Sequence, residues 1–282
     1  MSRQTFYYFF KKFSIYDCVL LAVLLLITIF TPKANPGVAS MKGMVFIGTN
    51  SQGYGEYRHE KTGMIFVLIP EGAFRMGSNE SFDEKPIREV DLDAFLISKY
   101  EVTQGQWQKV MLSEVKSASG GGKNPSYFNK GDNYPVEQVS WYDCQEFCDS
   151  AGLRLPTEAE WEYAGGAGTI DKYHWGESAG SDFLWFTGNS EDSTHQVGQK
   201  KPNKFGLFDM SGNVWEWCLD WFGQYSRRSE NNPIGPSAGC HRVMRGGSWI
   251  NSEGFARTSF RSCYAPDYRN SFIGFRCAMS VN

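Results

Sequence analysis

At 282 residues the chain is long enough for one large domain or two small ones. Thirty glycines, nine tryptophans and a 16% aromatic share exclude a helical bundle and a disordered chain, and point to a turn-rich globular fold with many aromatic anchors. A net charge of -3, with Lys and Arg scattered along the chain, provides no basic patch for neutralising phosphates, so no nucleic-acid partner is expected.

The chain opens with Arg3, Lys11 and Lys12 ahead of an apolar run from Val19 to Phe30, closed by Pro32. Basic residues before a short apolar core read as a Sec-type export signal or as a short uncleaved anchor. The run is shorter than the roughly 20 residues of a comfortable membrane span. Gly37, Val38, Ala39 and Ser40 are small enough for a cleavage site but lie well past it. Both readings stay open for residues 1–31, and both put the rest of the chain in the periplasm, at the cell surface or in the medium. The expected membrane contact is through the N-terminal segment alone, if uncleaved. Cys18 lacks a lipoprotein-type acylation sequence, which leaves Cys144, Cys148, Cys218, Cys240, Cys263 and Cys277 for an oxidising compartment. No CxxC pair is present and the four histidines are far apart, so local spacing supports neither zinc nor iron.

Residues 32–63 are polar and Gly-rich and read as a linker with one strand at Met44–Ile47. Strands are expected over Met64–Ile69, closed by Pro70, and over Ala94–Tyr100. Three helix starts follow. Thr103 with Gln106 and Thr157 with Glu160 are capping boxes, and Ser140 with Asp143 is a shorter version. Behind the last of these, Cys144, Phe147 and Cys148 share one helix face, and Gly152 suits the stop. Ser117–Gly122 reads as a surface loop. Beyond Gly165 the periodicity fades into short apolar pieces between Gly, Asn, Asp and Ser, up to Arg242–Arg245 and Ile273–Ala278. The fold class is α+β with little regular secondary structure and long ordered loops.

Seven segments in order carry a resemblance: Gly72–Ser78, Lys99–Thr103, Tyr134–Trp141, Arg154–Ala164, Gly212–Trp217, Arg245–Trp249 and Gly274–Arg276. Together they resemble the formylglycine-generating enzyme (sulfatase-modifying factor) family, over a domain placed at residues 64–282. The resemblance implies that family's variant of the C-type-lectin-like fold. The tryptophans within it (Trp141, Trp161, Trp215, Trp217) and Trp221 read as core anchors.

The resemblance also implies a calcium loop: the Asp209 side chain, the Gly212 and Val214 carbonyls and the Glu216 carboxylate are the hard oxygens that Ca²⁺ takes. A second family site would fall near Asn189–Thr194, with Asp192 its nearest candidate. One family disulfide carries over as Cys148–Cys277, whereas the positions of the other are Gly165 and Arg261. The enzymes oxidise a substrate cysteine through two copper(I)-binding cysteines, the first two residues after the Gly-Gly-Ser-aromatic motif and the second five further on. Those positions are Asn251 and Ala256, so copper is not expected and no catalytic residue is assigned, although Ser248 is retained.

The expected function is a non-catalytic, calcium-stabilised domain binding a protein or glycan. Its ligand face would comprise Ser248, Trp249, Asn251, Phe255, Phe260, Tyr264, Tyr268 and Phe272, residue types that adaptable surfaces use. Arg257, Arg261, Pro266 and Arg269 frame that face, in a pattern similar to retroelement-diversified receptors; the simpler reading is that these arginines pin loops to carbonyls. The alternatives are such a diversified receptor, or an oxidase making formylglycine by altered chemistry.

Overall fold

The computed structural model describes residues 41–114, 122–178 and 180–281. The export or anchor segment, Cys18 and nearly all of the Ser117–Gly122 loop lie outside the described residues. Among the described residues no helix is long and apolar enough to cross a membrane.

Three small sheets and three helices build the described unit. The first sheet has β1 (Met44–Thr49), β2 (Gly55–His59), β3 (Ile65–Ile69), β6 (Phe95–Ser98) and β12 (Ala278–Ser280), in that order. The second has β10 (Ser262–Tyr264), β9 (Arg242–Arg245), β7 (Trp215–Trp221) and β11 (Ile273–Gly274). The third has β4 (Gly72–Met76), β5 (Arg88–Leu92) and β8 (Glu230–Asn231). The helices are α1 (Gln104–Glu114), α2 (Trp141–Ala151) and α3 (Glu158–Gly166).

All three capping boxes form. Thr103 and Gln106 exchange hydrogen bonds ahead of α1. Ser140 and Asp143 do so ahead of α2, and Thr157 and Glu160 ahead of α3. Asp143 thus reaches back as a longer Glu or Gln would. Gly152 ends α2 in the left-handed region at φ 74°. Cys144, Phe147 and Cys148 are buried together on the inner face of α2.

The strand expected at Met44–Ile47 is part of β1, whereas residues 55–59 of the expected linker form a second strand. They form a hairpin, β1 antiparallel to β2, and β2 pairs with β3, so the domain begins near residue 41. Two features cause this. Tyr57 and His59 alternate inward along β2. At the turn, the Asn50 side chain accepts from the Gln52 and Tyr54 amides.

The apolar run Ile273–Ala278 serves two sheets: β11 lies parallel to β7, and β12 lies antiparallel to β6. Arg276 sits at the crossing, fully buried. β2, β4, β5, β7, β8 and β10 were not anticipated as strands. β7 is buried on both faces over Trp215–Cys218, so it shows no alternation. The main core joins the sheets through Val67, Ile69, Met76, Val90, Phe95, Ile97, Trp161, Met210 and Val243. Trp141, Trp161, Trp215 and Trp217 are buried as expected, and the half-buried Trp221 stacks on the Arg242 guanidinium at 3.5 Å.

Candidate functional site

The site is built on the turn after β9. Gly246 and Gly247 have φ of 98° and 72°, where a side chain is strained. A Cβ on Gly247 would also sit 3.1 Å from the Phe255 carbonyl carbon and 3.2 Å from the Ala256 nitrogen. The glycine therefore lets the 253–256 turn pack directly on the backbone leading to Ser248–Asn251. Ser211 Oγ donates to the Ala256 carbonyl at 3.0 Å and fixes that turn from the neighbouring loop.

At this turn, Asn251 Oδ1 accepts from Trp215 Nε1 at 2.8 Å and from Ser248 Oγ at 2.6 Å. Its backbone carbonyl accepts from Thr187. Asn251 is thus the half-buried hydrogen-bond centre of this turn, and Ala256 is buried. Neither side chain offers a soft ligand for copper(I). Cys263 is on β10, opposite Val243.

The predicted face divides into separate groups. Phe260 lies 5.0 Å from Phe255 and 6.0 Å from Trp215, ring centre to ring centre, and makes one aromatic group beside Asn251. Tyr264 and Tyr268 stack at 4.2 Å as another. Ser248 and Trp249 are buried, so they support the face from below. Trp249 donates Nε1 to the Ser271 carbonyl, and the Phe272 carbonyl accepts from Trp215 N–H. Sequence reasoning missed Tyr127 and Phe128, whose rings continue from Trp249 (Phe128–Trp249 5.3 Å, Tyr127–Phe128 5.0 Å). The signal was a pair of adjacent loop aromatics, a residue type that interfaces are enriched in. Glu137 holds that loop by accepting from both amides, and burial pushes its carboxyl up to about 7.

The frame arginines do more than pin carbonyls, and here the expectation is corrected. Each clamps a carboxylate from an earlier part of the chain. Arg257 holds Glu84 through both nitrogens (2.9 and 2.6 Å) and Arg261 holds Glu158 (2.6 and 2.7 Å). Arg269 holds Asp143, the α2 capping residue, at 2.8 and 2.9 Å. Arg245 completes the set with Glu162 and Glu158. Burial alone would raise Glu84 and Glu158, but their arginines outweigh it and hold both below the usual carboxylate range. Arg261 also donates to the Asp83 and Gly223 carbonyls, and Arg257 to that of Gly254.

In the expected calcium loop, Asp209, Gly212 and Asn213 all have positive φ (55°, 81° and 59°), a tightly wound turn. Asp209 Oδ2 accepts from the Gly198 amide, whereas its Oδ1 is buried with no hydrogen-bond partner. Glu216 is engaged: Arg276 donates to both oxygens (2.6 and 2.7 Å), and Trp161 Nε1 donates to Oε2 at 2.6 Å. Burial, then the Asp209 and Glu216 charges, raise Glu101 well above its ordinary value, and burial pushes Asp209 up to about 6. Three buried carboxylates thus face one arginine. That excess charge and the orphaned Asp209 oxygen fit a hard cation, although among the described residues no cluster of three His, Cys, Asp or Glu side chains is placed as a metal site. Asp192 is exposed and the Asn189 side chain closes its own turn, so the second expected site is not assembled. Cys148 and Cys277 come together as buried thiols with sulfurs 3.7 Å apart.

Asp220 gives the domain a pH dependence. Burial first, then the Glu158 charge, push its carboxyl up to about 8, against the hydrogen bond it accepts from Glu158 N–H. An acid whose folded pKa is raised contributes stability that is lost as pH rises through that pKa, at most about 1.4 kcal/mol per pH unit. Glu84 and Glu158, held low, act oppositely, and their contribution is lost only in acid. Urea unfolding is therefore expected to give greater stability at pH 5 than at pH 8, with Asp220→Asn reducing the difference and the raised Glu137, Asp209 and Glu101 carboxyls leaving the remainder.

The sheets, the arginine-pinned loops and the glycine turn define an α+β domain of the C-type-lectin-like kind found in formylglycine-generating enzymes. Residues 54–281 match the Sulfatase-modifying factor enzyme 1-like domain. The chain belongs to that family. It is 34% identical over 242 residues to serine/threonine-protein kinase pkn1 of Chlamydia pneumoniae, covering 77% of this chain but only 38% of the kinase. It is 32% identical over 282 aligned residues to the formylglycine-generating enzyme of Thermomonospora curvata, covering 75% of this chain and 92% of that enzyme. Among solved structures, Treponema denticola variable protein 1 superposes with a TM-score of 0.67 at 30% identity, covering 78% of this chain and 97% of that one.

Proposed function

We propose that this chain is an exported family member without oxidase chemistry, a calcium-stabilised domain whose face around Asn251 binds a protein or glycan partner. One observation carries the reading: Asn251 and Ala256 stand where the family's copper-binding cysteines would be, and the Asn251 side-chain oxygen is occupied by Trp215 and Ser248. The thiols of Cys144, Cys218 and Cys277 are elsewhere, and burial raises all three well above their ordinary value. A buried, protonated thiol is a poor copper ligand. Export would set Cys148 and Cys277 in an oxidising compartment, where a disulfide between β12's approach and α2 is chemically reasonable.

Copper(I) titration against a competing chelator tests the reading. No stoichiometric tight complex is expected; a 1:1 complex abolished by one Cys→Ser change would restore an oxidase by altered chemistry. Calcium has its own test. Asp209, the Gly212 and Val214 carbonyls and Glu216 would hold the ion, whose charge would offset the buried carboxylates. At a free concentration a hundredfold above its Kd, calcium should add about 2.7 kcal/mol, several degrees in Tm. Asp209→Ala should abolish the gain, and a wild-type Tm indifferent to calcium would reject the site.

Similarity to Treponema denticola variable protein 1 favours a second reading, a receptor whose face is diversified by a retroelement. A neighbouring reverse-transcriptase gene with a template copy of codons 250–273 would support it, and a locus without them would remove it.

A further inference from the structure

Strand β1 is an edge of the five-stranded sheet, yet it exposes three consecutive large apolar residues, Val45 (38%), Phe46 (58%) and Ile47 (43%). An edge strand of this kind is ordinarily charged or covered. Two features narrow what covers it. The ladder to β2 slips between Phe46 and Gly48, a bulge at Ile47. A bulge twists an edge and interrupts its pairing row, which disfavours a second copy adding as a strand. Charge is the other feature. Exposed Arg58 lies opposite Val45 and exposed Lys42 precedes the strand. Of the nearby acids, Glu56 is taken by Lys99, and Glu60 is exposed beyond the end of β2. Apolar side chains rimmed by cations are the chemistry of a phospholipid interface.

Chain length supplies the geometry. The apolar run ends at Phe30, eleven positions before Met41, and β1 starts three residues later. Eleven residues span at most about 40 Å when fully extended. A domain tethered so closely meets the bilayer at an effective concentration high enough for a weak contact to persist.

We propose that β1 is a second membrane contact: Val45, Phe46 and Ile47 enter the boundary between headgroups and acyl chains, with Lys42 and Arg58 against anionic headgroups. This rests on residues 19–30 remaining as an anchor. It orients the domain by fixing the edge of one sheet to the bilayer.

The test uses the full chain in vesicles of phosphatidylcholine with about one third phosphatidylglycerol, with and without brominated acyl chains. All nine tryptophans lie between Trp107 and Trp249, none in the N-terminal segment or β1, so a tryptophan at position 46 reports that position. Phe46→Trp retains an aromatic ring for the edge contact with Tyr57. Ile170→Trp, at a 97% exposed position in the loop after α3, serves as the control. Brominated lipid is expected to remove about half or more of the emission added by F46W and none of that added by I170W. Equal quenching of the two, or quenching of neither, overturns the proposal. Alkaline carbonate extraction reads the anchor separately. A chain released by carbonate sinks the anchor reading, while quenching measured before extraction still decides whether β1 touches lipid.

Discussion

Arg276→Met is expected to destabilise the domain by about 3–5 kcal/mol, the cost of breaking a buried ion pair by removing one partner. Arg276 is fully buried and uses its guanidinium four ways: two bonds to Glu216, one to the Ser98 carbonyl at 3.0 Å and one to the Phe208 carbonyl at 2.9 Å. It is also the cation that the Asp209 and Glu101 carboxylates share with Glu216. Methionine fills much of the volume but leaves three acids facing one another in a dry site. Against a total stability of about 5–15 kcal/mol, that loss is enough to unfold a marginal domain. The acids can relieve it only by taking up protons, so the deficit should shrink as pH falls from 8 to 5. Urea unfolding at both pH values measures this, and a deficit independent of pH would mean that lost packing, not stranded charge, was responsible.

The fold was legible where local chemistry is self-contained. Capping boxes at Thr103, Ser140 and Thr157 need only residues three apart, and all three form. β5 was legible in principle, since Arg88, Val90 and Leu92 alternate inward against Glu89 and Asp91 outward. β7 was not, because a strand buried on both faces has no period to read. Nor was β2, whose inward residues are only Tyr57 and His59 among glycine and polar groups, although its partner β1 was read at Met44–Ile47.

For the site, the partnership of residues was not legible. Motif counting placed Asn251 and Ala256, and the structure adds why the turn holds them: Gly247 tolerates the 253–256 backbone at 3.1 Å. That Glu216 is held by Arg276 depends on residues 60 apart, and Glu84 with Arg257 on residues 173 apart. No local pattern encodes such pairs. Phe128 joins that aromatic group only because Trp249 lies against it, and Tyr127 joins through Phe128.

Arg261 and Glu158 make the contrast between frame and face measurable. Arg261→Met alone should cost about 3–5 kcal/mol, because Glu158 stays buried with only Arg245 at 3.4 Å and the Tyr225 hydroxyl at 3.1 Å beside it. Glu158→Leu alone should cost a similar amount for the mirrored reason. The double variant should cost clearly less than the sum, since exchanging both partners for apolar groups strands no charge, and couplings of 0.5–3 kcal/mol are usual for contacting pairs, so about that difference is expected. Full additivity would mean that the pair is not what secures the segment. Phe255→Ala, at an exposed position just before Arg257, and Tyr264→Ala, at one between Arg261 and Arg269, should cost clearly less, about 0.5–1.5 kcal/mol from their ring contacts with Phe260 and Tyr268. The segment from Arg257 to Arg269 would then hold its shape through Glu84, Glu158 and Asp143 whatever occupies the exposed positions between. A surface whose stability is carried by its frame can change its exposed side chains without losing its fold, and that is the physical condition for a face that binds.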